Sequence, residues 1–249
     1  MNIIELTLTI KFYGFMKKSI IILFCALFYS FSAICQDYEN SEEDITKQKK
    51  NDAIVINLLN NQWTNVEKPM KTMPVSLGLE IYTFKTLLKD NRTFNISLGL
   101  GLSSHNVHNN ALPYDSLGGT YFRLIPSGFE YTKNKLTVNY LDVPLEINIV
   151  TKSDKRNRNL RMAFGGKAGI MLNNYIKYVG EDFRNNSNKE VKFKEYRIEN
   201  IMLYRIGAYI RISYARFGFI ANYIITPIFE KDKGPNFIPF TYGITFSIK

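Results

Sequence analysis

Residues 204–214 read YRIGAYIRISY, and every second residue of this run is apolar or aromatic. Alternation with a period of two is typical of a β-strand that has one apolar face. The other face of the same run carries Arg205 and Arg211. The run therefore predicts a strand that keeps its charged side chains on one side and its apolar side chains on the other.

Seven further segments alternate in the same way, and composition supports the same fold class. The 16 Tyr and 18 Phe raise the aromatic content to 14%, which favours strands over helices. With 45% hydrophobic and 22% charged residues, the chain is neither a disordered polymer nor a helical-bundle membrane protein. The class is predicted to be all-β. The eight segments are approximately 53 to 59, 74 to 85, 93 to 105, 135 to 149, 159 to 175, 202 to 214, 217 to 227 and 239 to 248.

The connections between these segments alternate in length. Short connections with turn residues follow the second, fourth and sixth segments, whereas the others are longer: 60–73, 106–134, 176–200 and 228–237. This rhythm is typical of outer-membrane barrels, which have tight turns on the periplasmic side and long loops outside. The sequence therefore predicts an eight-stranded antiparallel up-and-down transmembrane β-barrel over residues 53–249.

Side-chain volume indicates which face of the strands lies outside. An eight-stranded barrel has an interior only just wide enough to be filled by side chains. The apolar face is too bulky for that space, so we expect it to face lipid; a soluble carrier with inverted faces is the alternative. The apolar face comprises Val75, Leu77, Leu79, Ile81, Phe94, Ile96, Leu98, Leu100, Leu102, Leu141, Val143, Leu145, Ile147, Ile149, Met162, Phe164, Ala168, Ile170, Leu172, Tyr204, Ile206, Ala208, Ile210, Ile212, Tyr214, Phe217, Phe219, Tyr223, Ile225, Phe240, Tyr242, Ile244, Phe246 and Ile248.

The opposite face combines small residues with charges of both signs. A charge on the lipid side near the bilayer midplane costs about 2 to 4 kcal/mol, so seven charges on one face indicate an internal face. We expect the three acids to pair with the bases and to fill the lumen; a conducting pore with a charged lining is the alternative. The predicted lumen charge network is Glu80, Asp142, Glu146, Arg161, Lys167, Arg205 and Arg211.

The N-terminus reads as an export signal. From Met16 onward, Lys17 and Lys18 precede an apolar run at 20–28, which is too short to span a bilayer. Residues 1–35 are predicted to be a signal peptide with Met16 as the true start, and 36–52 a polar mobile lead-in. A lipid anchor on Cys35 is the alternative. Cys25 and Cys35 both lie in this peptide, so the mature chain has no thiol for a disulfide or a zinc site.

Three short motifs resemble those of PorT-like outer-membrane β-barrel proteins. They are NYLDVPLE at 139–146, LGLG at 98–101 leading into SSHNV at 103–107, and KYVG at 177–180. The resemblance implies an outer-membrane barrel of about eight strands and, for the namesake of the group, a part in protein export by a dedicated secretion system. It implies no catalytic residues. Separately, Pro144 within a strand predicts a bulge that aims Asp142 and Glu146 into the lumen.

Few residues suggest chemistry. Ser103 and His105 share a strand face and leave a lipid hydrolase possible, whereas His105 and His108 point to opposite faces and do not favour zinc. No Gly-rich phosphate loop opens a helix. Lys and Arg are dispersed in an exported chain, which argues against nucleic acid. No catalytic residue, cofactor or metal ligand is therefore predicted.

The sequence thus predicts a non-enzymatic integral protein of the cell outer membrane. Its expected partners are outer-membrane lipid and envelope or secretion-system proteins, with a lipid-modifying hydrolase and a small-solute porin as alternatives. The net charge of +10 indicates either solvation of loops or attraction to anionic headgroups. Apolar residues within 106–134 either extend the fourth strand or form a contact surface: Phe122, Leu124, Ile125, Phe129 and Tyr131.

Overall fold

The computed structural model describes residues 53–89, 93–152, 156, 158–185 and 187–248. The predicted signal peptide 1–35 and the polar segment 36–52 lie outside these residues. No helix in the described ranges is long and apolar enough to cross a membrane. The strands in these ranges are β1 (Ala53–Thr64), β2 (Leu77–Lys89), β3 (Phe94–His108), β4 (Ala111–Ser116), β5 (Gly119–Leu124), β6 (Tyr131–Val150), β7 (Leu160–Asp182), β8 (Ser187–Tyr196), β9 (Tyr204–Tyr214), β10 (Phe217–Ile224) and β11 (Ile238–Ile248).

Eight of the strands form a closed hydrogen-bonded ring. Its order is β1-β2-β3-β6-β7-β9-β10-β11, and every neighbouring pair is antiparallel. The first and last strands close it, with Ile54 opposite Ile248 and Thr64 opposite Ile238. The predicted all-β class is confirmed, and each of the eight predicted segments corresponds to one strand of the ring.

Two hairpins occupy segments that were predicted to be loops. β4 and β5 form their own two-stranded sheet within 106–134, and their turn places Leu117 and Gly118 at positive φ. β8 pairs with the outer part of β7, where Tyr175 lies opposite Tyr196. The loop prediction for 106–134 and 176–200 was therefore wrong. β4 and β5 have six residues each and contain a proline and a glycine, so they show too little alternation to be recognised, and the ten residues of β8 are mostly polar.

Pro144 does not form the predicted bulge. β6 keeps one register with β3 on both sides of it, since Leu98 pairs with Leu145 and Gly101 with Asp142. Its register with β7 is also continuous there and shifts instead between Asn139 and Tyr140. Proline lacks an N–H, so only the pairing with β3 lapses at this point. The neighbouring acids face inward through ordinary strand alternation.

The two faces of the ring differ as the alternation predicts. Ile147, Ile210 and Ile244 are 42%, 38% and 53% exposed, whereas Glu146 and Arg205 are 2% and 5% exposed. None of the residues assigned to the apolar outer face is buried. The large apolar side chains therefore line the outside of the ring, whereas Glu146 and Arg205 lie inside it.

An aromatic cluster, here called the cap, lies at the end of the ring where the long connections are. Trp63 stacks on Phe237 with ring centroids 5.0 Å apart. Phe122 of β5 packs edge-on against Trp63 and Phe229 at 6.4 and 5.8 Å. From the sequence, Phe122 is expected either to extend the fourth strand or to form a contact surface, and it does neither. It folds inward with the β4–β5 hairpin.

The other apolar residues of 106–134 also have inward partners. Leu124 packs against the cap, and Ile125, Phe129 and Tyr131 belong to a second cluster around Ile176 and Tyr178. Tyr131 is in addition the first residue of β6. These side chains therefore fasten the hairpins to the ring.

Replacing Phe237 with Ala is expected to lower the free energy of unfolding by about 3 to 5 kcal/mol, since a buried ring that contacts three others would be lost. Urea unfolding in detergent micelles measures the change. Leu117→Ala, at the fully exposed tip of the β4–β5 hairpin, is the control and should leave stability unchanged. Equal losses in both variants would contradict a structural cap.

Candidate functional site

The interior of the ring holds three ion pairs formed across the ring. Their closest N–O distances are 2.6 Å for Lys167–Glu80, 2.7 Å for Arg205–Asp142 and 2.7 Å for Arg211–Glu146. All six residues are at most 5% exposed. The structure therefore brings together six of the seven predicted lumen charges, each acid with one base.

The Glu80–Lys167 pair connects β2 to β7, with β3 and β6 between them in the ring. Asn57 donates a hydrogen bond to the second carboxylate oxygen of Glu80 at 3.0 Å. Lys167 also donates to the side-chain oxygen of Asn222 at 3.2 Å. Both charged groups thus have several polar partners, which a buried ion pair needs to offset its desolvation.

The Asp142–Arg205 pair connects β6 to β9 and is bidentate. Arg205 Nε donates to Asp142 Oδ1 at 3.0 Å, and Nη2 donates to Oδ2 at 2.7 Å. The hydroxyls of Ser103 and Tyr82 donate to Oδ2 at 2.6 and 3.1 Å. The guanidinium lies 4.1 Å from the ring centre of Tyr140. This arrangement holds the planar guanidinium of Arg205 in one orientation.

The Glu146–Arg211 pair lies nearer the end with the short turns. Arg211 Nη2 donates to both carboxylate oxygens at 2.7 and 2.8 Å, and the Tyr209 hydroxyl donates to Oε2 at 3.0 Å. Arg161 is only partly buried and lines a small cavity with Glu146 and Arg211. Among the described residues it forms no ion pair. Arg161 is thus the seventh predicted charge and the one that the structure leaves outside the pairs.

Glycines on the inner face make room for these side chains. A Cβ at Gly165 would lie 2.3 Å from the Tyr209 ring, and one at Gly169 would lie 2.1 Å from an Asp142 oxygen. Neither glycine has a neighbour that could move aside without disturbing an ion pair. The small residues are therefore the counterpart of the large polar ones that cross the ring.

The interior is closely filled. Cavities of about 30, 10 and 20 Å³ lie between side chains of the described residues. A water molecule needs about 10 to 15 Å³ of such space, so each cavity can hold at most one or two waters. The cavity of about 30 Å³ lies beneath the cap, beside His105 and Arg205. Much of the space inside the ring is therefore occupied by side chains.

Ser103 and His105 share the inner face but have different hydrogen-bond partners. Ser103 donates to Asp142, whereas His105 Nδ1 lies 2.8 Å from the side-chain oxygen of Asn61. The other ring nitrogen of His105 lies 3.5 Å from Glu80. Within the described ranges, no group of three or more His, Cys, Asp or Glu residues could hold a metal ion.

Two polar partners of the network were not foreseen from the sequence, namely Asn57 and Asn222. Each stands alone between aliphatic residues on the inner face of its strand, Asn57 between Val55 and Leu59. An amide flanked on both sides by aliphatic residues of the same strand face is the signal that could have revealed them. The face of Trp63 was also unassigned, and the structure places it in the cap.

Comparison of the chain with protein families and curated proteins gives no match. The chain matches no protein-family model, and no curated protein matches it. The geometry of the ring and the short motifs quoted above are therefore the features that indicate a function.

Asp142→Asn is expected to lower the free energy of unfolding by about 3 to 5 kcal/mol, because Arg205 would remain buried without a carboxylate. Urea unfolding in detergent micelles is the measurement. Glu230→Gln breaks the exposed pair with Lys233 and should change stability by less than about 1 kcal/mol. If both variants lost the same free energy of unfolding, the buried ion pairs would not stabilise the fold more than an exposed pair does.

Proposed function

We propose that this chain is a non-enzymatic integral outer-membrane protein, whose ring is a transmembrane β-barrel with a side-chain-filled lumen. The separation of charge from apolar surface carries the proposal. Ion pairs are buried inside the ring, while large apolar side chains are exposed all around its outside. Soluble monomers rarely expose apolar patches beyond a few hundred Å². A continuous belt of this kind is suited to lipid.

The height of the apolar belt supports this environment. β9 alternates without interruption over 11 residues. The ten steps between its first and last residues, at about 3.3 Å each, give about 33 Å along the strand. Strands of membrane barrels tilt by about 35 to 45°, so the same length spans about 25 Å, the height of the apolar band in such barrels.

Aromatic side chains stand near both ends of this belt. Tyr204 and Tyr223 are exposed at the end with the long connections, and Tyr214 and Phe217 at the other end. Aromatic girdles at the two interfaces are typical of outer-membrane barrels. The predicted signal peptide is consistent with an exported protein.

The filled interior favours a structural role for the barrel. The cavities of about 30, 10 and 20 Å³ have room for only a few waters each, which argues against passage of solutes. Ser103 and His105 have separate partners, which argues against a hydrolase. The function then belongs to the outer end, where the β4–β5 and β7–β8 hairpins lie. The resemblance to PorT-like proteins suggests envelope or secretion-system proteins as their partners.

Ile147→Arg is expected to weaken folding into phospholipid vesicles by about 2 to 4 kcal/mol, since it places a charge in the middle of the apolar belt. Urea titration in vesicles, followed by circular dichroism, measures this change. Leu117→Arg introduces the same side chain at an exposed hairpin tip and should have no effect on insertion. Equal behaviour of the two variants would argue against membrane integration.

Planar-bilayer recording of the folded protein tests the filled lumen. The expected result is no stepwise conductance, because the ion pairs and the cap divide the interior. Glu80→Ala with Lys167→Ala removes one pair and should increase any leak. Steady unitary currents from the unmodified chain would favour the small-solute porin instead.

A further inference from the structure

A row of basic side chains crosses the outer face beyond the apolar belt. His108 lies opposite Lys135, Lys135 opposite Lys177, and Lys177 opposite Lys194. Four basic residues therefore stand side by side on four adjacent strands, β3, β6, β7 and β8. The three lysines are called the lysine row below. Lys133 and Lys192 lie two residues further out than Lys135 and Lys194 on the same strands, and both are opposite Val179 of β7.

Like charges directly opposite each other destabilise a sheet, so the lysine row has an electrostatic cost. Among the described residues, none of its three lysines forms an ion pair. Lys135 donates to the side-chain oxygen of Asn106 at 2.7 Å, and Lys194 lies 3.6 Å from the ring centre of Tyr175. Two exposed ion pairs occur on or next to β8, Lys192–Glu190 at 3.3 Å and Arg184–Glu195 at 2.8 Å.

The pKa of Lys135 is affected by the basic residues around it. Burial lowers its pKa, and the neighbouring charges of Lys177, Lys133 and Lys194 lower it further, although Tyr175 acts in the opposite direction. An anion placed over the row would relieve the repulsion that these four amines share. The row is therefore suited to a ligand that carries concentrated negative charge.

The order of side chains along the strands indicates where this ligand lies. On β6 the outer face runs from Leu141 through Asn139 and Thr137 to Lys135. Asn139 donates to Asn173 of β7 at 2.6 Å, which marks the start of the polar zone. Lys135 is four residues further out, about 13 Å along the strand. With the tilt of membrane barrels this is about 10 Å in height, within reach of lipid headgroups for a flexible lysine.

The lysine row is confined to one sector of the ring. β1, β10 and β11 contain no lysine, and at the same end they present Asn60, Gln62 and Tyr242. General attraction of a basic protein to an anionic surface would not need such a concentration. A local row of lysines above the amides of Asn139 and Asn173 is the arrangement expected for a site that binds a single lipid headgroup.

We propose that the lysine row binds the phosphate groups of an outer-leaflet glycolipid whose headgroup is a phosphorylated disaccharide. This inference rests on the proposed membrane location. The phosphates lie over Lys135, Lys177 and Lys194, the sugars over the amides, and the acyl chains along the apolar belt. Binding holds the β7–β8 hairpin, which extends beyond the ring, against the membrane surface.

The test uses the full chain folded in zwitterionic detergent micelles that contain a diphosphorylated disaccharide glycolipid. Tagged protein is captured and washed, and the retained glycolipid is quantified by mass spectrometry. The triple variant K135Q/K177Q/K194Q should retain at least about tenfold less, given about 1 kcal/mol for each lysine near a charged headgroup. The control K68Q/K71Q/K231Q removes three exposed connection lysines and should retain as much as the unmodified chain.

Three further results decide the nature of the ligand. The dephosphorylated glycolipid should not be retained, and neither inorganic phosphate nor an acidic peptide at equal concentration should displace the diphosphorylated one. Displacement by phosphate would indicate a free-anion site, and displacement by the peptide a protein partner; either would overturn the proposal. Equal retention by the triple variant would also overturn it.

Membrane insertion is measured separately on the same variants. A heat-dependent shift in electrophoretic mobility shows that each is folded, and sedimentation with vesicles shows that each inserts. Failure of the unmodified chain to insert would contradict the proposed function. Normal insertion together with unchanged glycolipid retention by the triple variant would contradict the lysine row alone.

Discussion

The pairing of Asp142 with Arg205 inside the ring, repeated in the two neighbouring pairs, is the interaction on which the rest of the structure depends. Each pair joins strands that are not neighbours, so it braces the ring across its interior. A buried charge without a partner costs several kcal/mol. Because these six charges satisfy one another inside, the outer face of the ring can be mostly apolar, and a mostly apolar outer face suits a bilayer. Inner pairing and outer apolarity are thus two consequences of one alternating pattern.

The two ends of the ring differ, and the difference concentrates recognition at one of them. The end with short turns offers little surface. The other end carries the cap, which closes the interior with stacked rings, and the β7–β8 hairpin, which continues the sheet outward. The lysine row lies where this hairpin leaves the apolar belt. A closed ring of strands with one elaborated end is suited to presenting a surface, which agrees with the proposed structural role.

The sequence predicts the ring strands and their faces well, because a two-residue period relates directly to inside and outside. It also predicts that Glu80 and the other acids lie in the interior. It does not reveal that Glu80 meets Lys167, since pairing across a ring depends on the stagger of eight strands. The bulge at Pro144 was wrongly predicted because a proline can leave one ladder bond unmade without a change of register. The hairpins and the cap were missed because Phe122 and Trp63 take part in contacts between distant segments.

Site-directed labelling along β9 tests the central claim most directly, because the mature chain predicted here has no cysteine of its own. Single cysteines at 206, 208, 210 and 212, carrying spin labels in phospholipid vesicles, should be accessible to oxygen, which partitions into lipid, and protected from a water-soluble paramagnetic reagent. A label at position 117, at the fully exposed hairpin tip, should show the opposite behaviour and be reached by the water-soluble reagent. If the even-numbered positions were instead reached by the water-soluble reagent, the apolar face would not be in contact with lipid and the account would be wrong.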